Sequence, residues 1–197
     1  MKRTSLFLSS VLIVGLAACS GSHPGVEEQA AASRKAQQTA DRLTGALLGE
    51  LTAAMKEGGP IRAIQYCSEN AQNLTNAIGK EMGVSVRRVT IKPRNPLDVP
   101  DEWERGILER FDTAARQGLL KADIHEDEIM KMDGRLVMRS MKPILIKQPC
   151  LMCHGTGRDI PGDVEQLLKT RYPEDQATGY VVGDFRGAVS VIVPLDN

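Results

Sequence analysis

One pentapeptide limits this chain more than anything else in it: Cys150-Leu151-Met152-Cys153-His154. Two thiols three residues apart, followed at once by an imidazole, form the C-x-x-C-H signature of c-type haem attachment. In a helical turn the two thiols reach the two vinyl groups on one edge of a porphyrin, each forming a thioether. The next imidazole then lies under the ring, where it can bind iron. On that reading the chain folds around a flat, largely apolar group. Three other readings exist: a disulfide, half of a zinc site, or a thioredoxin-like redox pair. No second C-x-x-C or matching His pair completes a zinc site. The thioredoxin motif lies in a βαβ context, which is not found here.

The N-terminus points to export. Lys2 and Arg3 precede an apolar run from Leu6 to Ala18, broken only by Ser9, Ser10 and Gly15. That run is too short for an ordinary membrane-spanning helix, which needs roughly 20 apolar residues. It reads as a secretory signal over residues 1–18. Leu16-Ala17-Ala18-Cys19 resembles the lipobox of bacterial lipoproteins, which implies a lipid on Cys19 as the mature N-terminus and a periplasmic, membrane-anchored location. Residues 19–26 read as a tether that includes His23, and 27–197 as one domain. Removing Lys2 and Arg3 from a chain with formal net charge +0 leaves a slight acidic excess, and nothing favours nucleic acid.

An oxidising compartment demands that each of the four cysteines be explained. With Cys19, Cys150 and Cys153 assigned, Cys67 is left alone. It falls on the stripe Ile61, Ile64, Cys67, Ala71, Leu74 and Ile78, one face of a helix from Pro60 to Met82. It is either an inert core thiol or the second axial ligand of the iron. As a thiolate it favours Fe(III) and lowers the reduction potential. Met138 and Met141 are further ligand candidates, and His125, among acidic residues, reads as a surface side chain.

The remaining elements follow from periodicity and punctuation. Glu27 to Glu57 is a long first helix, ended by Gly58-Gly59, and Pro60 suits the first turn of the next. Val84 to Ile91 reads as a strand with an irregularity, Lys92 to Pro96 as a loop. Pro100-Asp101-Glu102 opens a third helix that Gly118 ends. Asp123 to Asp133 is a charged stretch. Arg135 to Met141 and Pro143 to Lys147 are two short strands, Asp163 to Tyr172 a short helix. Gly179 to Val182 and Arg186 to Pro194 form strands around a turn at Gly183-Asp184. The expected class is α+β, an antiparallel sheet flanked by helices, with a long N-terminal helix. Aromatic residues make up only 4% of the chain, so aliphatic packing or a bound group must fill space.

Several segments carry a resemblance: Ile64-Gln65-Tyr66-Cys67; Lys92-Pro93-Arg94-Asn95-Pro96 with Pro100 and Trp103-Glu104; Cys150 to Gly155; Tyr172-Pro173, Ala177 and Gly179-Tyr180; and Gly183-Asp184-Phe185-Arg186-Gly187-Ala188. Over roughly residues 60 to 195 the chain resembles periplasmic single-haem c-type cytochromes built on a PAS-like sensor fold. The resemblance implies a haem in a PAS-like pocket with His154 as proximal and Cys67 as distal ligand. It also implies a role in electron transfer or redox sensing through a redox or signalling protein partner. Arg87, Arg88, Arg94 and Arg139 are candidates to meet haem propionates, and Arg94 is preferred because it lies in a resembling loop. The competing functions are a gas or small-ligand haem sensor, in which Cys67 dissociates, and a haem-free lipoprotein adaptor with a Cys150–Cys153 disulfide. No enzyme constellation is evident.

Overall fold

The helical N-terminal part is a hairpin. In the computed structural model, which describes residues 24–195, helix α1 (Val26–Met82) is broken at Gly58 and Gly59. Gly59 has φ +67° and ψ −161°, a backbone conformation that suits glycine. The chain reverses there, so residues 26–57 and 60–82 run as antiparallel arms. Arg42 bonds Glu81 at 2.6 Å across them. The second arm stops at Gly83 in the left-handed conformation, φ +61°, the usual glycine ending. The expected break at Gly58-Gly59 thus stands, with no loop beyond the two glycines. Among the described residues no helix is long and apolar enough to cross a membrane.

Four antiparallel strands follow: β1 (Ser85–Val89), β2 (Glu126–Met132), β3 (Arg135–Leu145) and β4 (Phe185–Pro194), in the order β1-β4-β3-β2. Helix α2 (Glu102–Arg116) lies between β1 and β2 in the chain. Short helices α3 (Leu151–His154) and α4 (Gly162–Arg171) lie between β3 and β4. The fold is α+β, as the residue pattern predicts.

The sheet is covered on both faces. Ala32, Ala36, Ala40 and Leu43 of the first arm pack on Val86, Met138, Val189, Val191 and Val193. Ile107, Leu108 and Phe111 of α2 pack on Val89, Met141, Phe185 and Ala188. This explains the apparent irregularity in β1. Val86 faces one core and Val89 the other, so the shift in its pattern marks burial on two faces. The register does shift once, between Ile144 and Leu145 of β3, opposite Gly187. Gly187 has φ +153°, and a Cβ there would stand 2.5 Å from the Val89 carbonyl.

Helix α2 begins at Asp101, whose carboxylate accepts from the Glu104 N–H at 2.8 Å while Glu104 accepts from the Asp101 N–H at 2.9 Å. Glu104 is fully buried and pairs with the buried Arg139 at 3.2 Å, which lies 4.3 Å over the Trp103 ring. Arg139 therefore ties α2 to the sheet.

Three expectations fail for physical reasons. The charged stretch contains β2, which joins β3 through a two-residue turn, Asp133-Gly134, with φ +50° and +80°. β2 is an edge strand, and its acidic residues belong to an edge that must not pair further. The two runs 135–141 and 143–147 are the single strand β3. Pro143 is tolerated because pairing with β2 ends at Met141 opposite Glu126, so at Pro143 one side of β3 is already free. Gly179 to Val182 is not a strand, and Val181 and Val182 are exposed. β4 already pairs with β1 and β3 on its two sides, which leaves no room for a hairpin partner.

Candidate functional site

The C-x-x-C-H segment is one helical turn after β3. A 3-10 turn over Gln148–Cys150 leads into α3, and the Gly155 N–H closes it on the Leu151 carbonyl at 2.9 Å. The two thiols point into different surroundings. Cys150 packs with Ile146, Ala177 and Tyr180. Cys153 packs with Ile61 and Ile64 of α1 and with Val164 and Leu168 of α4. Cys67, Cys150 and Cys153 are all free thiols, half-buried.

His154 is held by one bond that decides its chemistry. Its Nδ1–H donates to the Ala177 carbonyl at 2.7 Å. That bond fixes the proton on Nδ1 and leaves the Nε2 lone pair for a metal. The Tyr180 ring stands edge-on to the imidazole at 6.4 Å. Burial, with the nearby Arg94 and Arg186 guanidiniums, pushes the His154 pKa down to about 3. The imidazole is thus neutral at ordinary pH, as a ligand must be.

A strap, residues 173–180, lies along the motif. The Gly179 and Tyr180 N–H groups donate to the Gly155 and His154 carbonyls at 2.8 and 3.0 Å. Ala177 N–H donates to Asp175 Oδ1 at 2.8 Å, and Asp175 Oδ2 accepts from Arg94 Nε at 2.9 Å. Arg94 also donates to the Cys153 carbonyl at 2.5 Å. Arg94 therefore sits at the site, with its donors on protein acceptors. The other arginines differ. Arg87 donates to the Leu97 and Val99 carbonyls, and Arg88 lies 3.9 Å from Asp98. Arg186, not singled out from the sequence, donates to Thr90 Oγ1 and the Lys92 carbonyl and stands 5.7 Å over the Tyr180 ring.

Cys67 reaches this region through packing of the second arm. Ile64, one turn earlier, is in the same apolar cluster as Cys153 and α4. Burial pushes the Cys67 thiol up, while Arg88 and Arg94 pull it down. Burial also raises the Cys153 thiol, and a thiolate at Cys67 would raise it further, so the two sulfurs are electrostatic neighbours. The other ligand candidates are elsewhere. Met138 and Met141 lie in the two sheet cores. His125 meets Gln37 at 2.8 Å and Asp127 at 3.4 Å, where the first arm meets β2. Cys19, the signal at 1–18, His23 and most of the tether lie outside the described residues.

The donor set fits a haem. A porphyrin supplies four of the iron's ligands, so a neutral imidazole with a free Nε2 and one further donor complete it. Two unpaired thiols three residues apart fit the porphyrin edge. Among the described residues no group of three or more His, Cys, Asp or Glu side chains converges on one point. Sequence reasoning missed Asp175, although an Asp two residues before a backbone N–H that it accepts is a recognisable turn signal.

Comparison with known proteins agrees with this chemistry. No curated protein matches the chain. Among solved structures it is similar to the cyanobacterial heme-protein Tll0287, with 26% identity and a TM-score of 0.52. The match covers 66% of this chain and 74% of that one. The family model described as Tll0287-like matches residues 23–194, which contain Cys67, the whole sheet and the C-x-x-C-H turn. The chain belongs to the Tll0287-like family.

Proposed function

We propose that this chain is an exported, lipid-anchored c-type haem protein that acts as a redox module, by electron transfer or redox sensing. One haem is bound covalently through Cys150 and Cys153, in a PAS-like housing, with His154 and Cys67 as axial ligands. A haem in that setting supplies a one-electron couple, and two strong protein ligands keep its rearrangement small. The observation that carries the reading is the Nδ1–H bond of His154 to Ala177, which leaves Nε2 unprotonated directly after two free thiols. Anchoring rests on Cys19 after its apolar run, and the sensing role requires a redox or signalling partner protein.

The full chain, expressed with the haem-attachment machinery, should give a haem-stained band that survives denaturing electrophoresis. A Cys150→Ser/Cys153→Ser variant should lose it. An unstained wild-type band refutes the proposal. The second reading is gas or small-ligand sensing, in which reduction of the iron or protonation of the thiolate releases Cys67. Carbon monoxide added to reduced protein separates the two: a prompt shift of the haem band supports ligand exchange, and its absence supports the redox module.

A further inference from the structure

We propose that Arg94 and Asp175 are a positioning pair that sets the tautomer and orientation of His154. In its effect on iron, the inference rests on the haem reading above. The bond from His154 to Ala177 is only as firm as the strap that presents the carbonyl. That strap is weakly held by its own burial: Pro173, Glu174, Gln176, Thr178 and Gly179 are exposed. Asp175 turns inward. Its Oδ1 accepts the Ala177 N–H at 2.8 Å, and its Oδ2 accepts from Arg94 at 2.9 Å. The two side chains are 12% and 10% exposed, so solvent screens the pair little.

The same guanidinium donates to the carbonyl of Cys153, the residue just before His154. The neighbouring Pro93 carbonyl accepts the Gln176 N–H at 3.0 Å. One planar fork therefore fixes both partners of the imidazole bond, the turn that carries the ring and the strap that carries its acceptor. Arg suits this place because two of its nitrogens bond different acceptors in fixed geometry, which an ammonium does not. A firm Nδ1–H bond makes Nε2 more basic, and a more basic proximal ligand favours ferric iron.

The test uses nitrogen-15-labelled full-length chain, with and without haem. Asp175→Asn keeps the shape and an acceptor for Ala177 but loses the charge. Arg94→Lys keeps the charge but loses the fork. Charge-assisted hydrogen bonds are the strong ones, so exchange of the His154 Nδ1 proton should speed up about tenfold or more in each variant. The double variant should exchange no faster than the faster single variant. In haem-loaded protein the midpoint potential should rise in both. A merely structural role would lower thermal stability and leave exchange and potential unmoved. Exchange within about twofold of wild type in both variants overturns the proposal. If the wild-type chain takes no haem, the functional reading fails on its own, and proton exchange in the haem-free chain still decides the pair. If Asp175→Asn does not fold, Arg94→Lys decides it.

Discussion

Gly155 follows the proposed haem ligand directly, and replacing it with Ala tests the account of the turn. The backbone there is at φ −71°, which any residue adopts, so the requirement is space. An added Cβ would stand 2.6 Å from the Leu151 carbonyl oxygen and 2.6 Å from the Asp159 Cβ. Ordinary contact requires a retreat of about 1 Å on each side. The Leu151 carbonyl cannot retreat freely, because it accepts the Gly155 N–H that closes the turn. Asp159 cannot either, because it accepts from the Thr156 N–H at 2.8 Å and the Thr156 hydroxyl at 2.6 Å. Overpacking of this kind costs about 1–3 kcal/mol, and loss of the turn-closing bond adds about 1 kcal/mol. For a chain of this size that lowers Tm by roughly 5–15 °C. Circular dichroism melts of Gly155→Ala against wild type read this directly. Asp159→Gly in the same chain should recover only part of the loss, since the Leu151 clash remains. A melt within about 2 °C of wild type would refute the geometry of the turn.

The His154 imidazole makes the haem-free chain acid-sensitive. Its folded pKa of about 3 lies below the ordinary 6.5, so between those values the unfolded chain binds a proton that the folded chain refuses. Stability should therefore fall as pH drops through that window, by up to about 1.4 kcal/mol per pH unit. Urea titrations at several pH values measure the slope, and an equal slope in His154→Gln would exclude His154 as its source. For the iron, Cys67→Ala in haem-loaded protein should remove the ferric thiolate signature and raise the midpoint potential. An unchanged low-spin spectrum and potential would take Cys67 out of the coordination sphere.

The parts of the fold that announce themselves do so through local chemistry. Gly58-Gly59-Pro60 marks the turn between the arms of α1, and Asp101 with Glu104 marks the start of α2. Both need only residues a few positions apart. β2 was hidden because an edge strand has one unpaired side and carries charge there, so Glu126, Asp127 and Glu128 look like loop. Its turn was nonetheless written in Asp133-Gly134, a strong hairpin signal. Pro143 misled because a proline forbids a ladder bond only where a partner strand exists. Whether β2 extends that far is decided by β2's own length, which lies elsewhere in the chain.

The site divides the same way. Cys150, Cys153 and His154 lie within five residues, so their spacing alone carries the proposed chemistry. Cys67 shows only as a thiol on an apolar stripe, and the stripe does not say what it faces. That is decided by Ile64 packing against Val164 and Leu168, contacts between helices about a hundred residues apart. Arg94 is the sharper case. As a charge in a loop that carries the family resemblance it reads as a partner for propionates. Its carboxylate partner, Asp175, is 81 residues away, and only the folded strap brings the two together. Once paired, that guanidinium has a different consequence. In the proposal above it fixes the acceptor of the His154 proton, and its charge helps keep the imidazole neutral, so it acts on the proposed iron ligand through the protein frame.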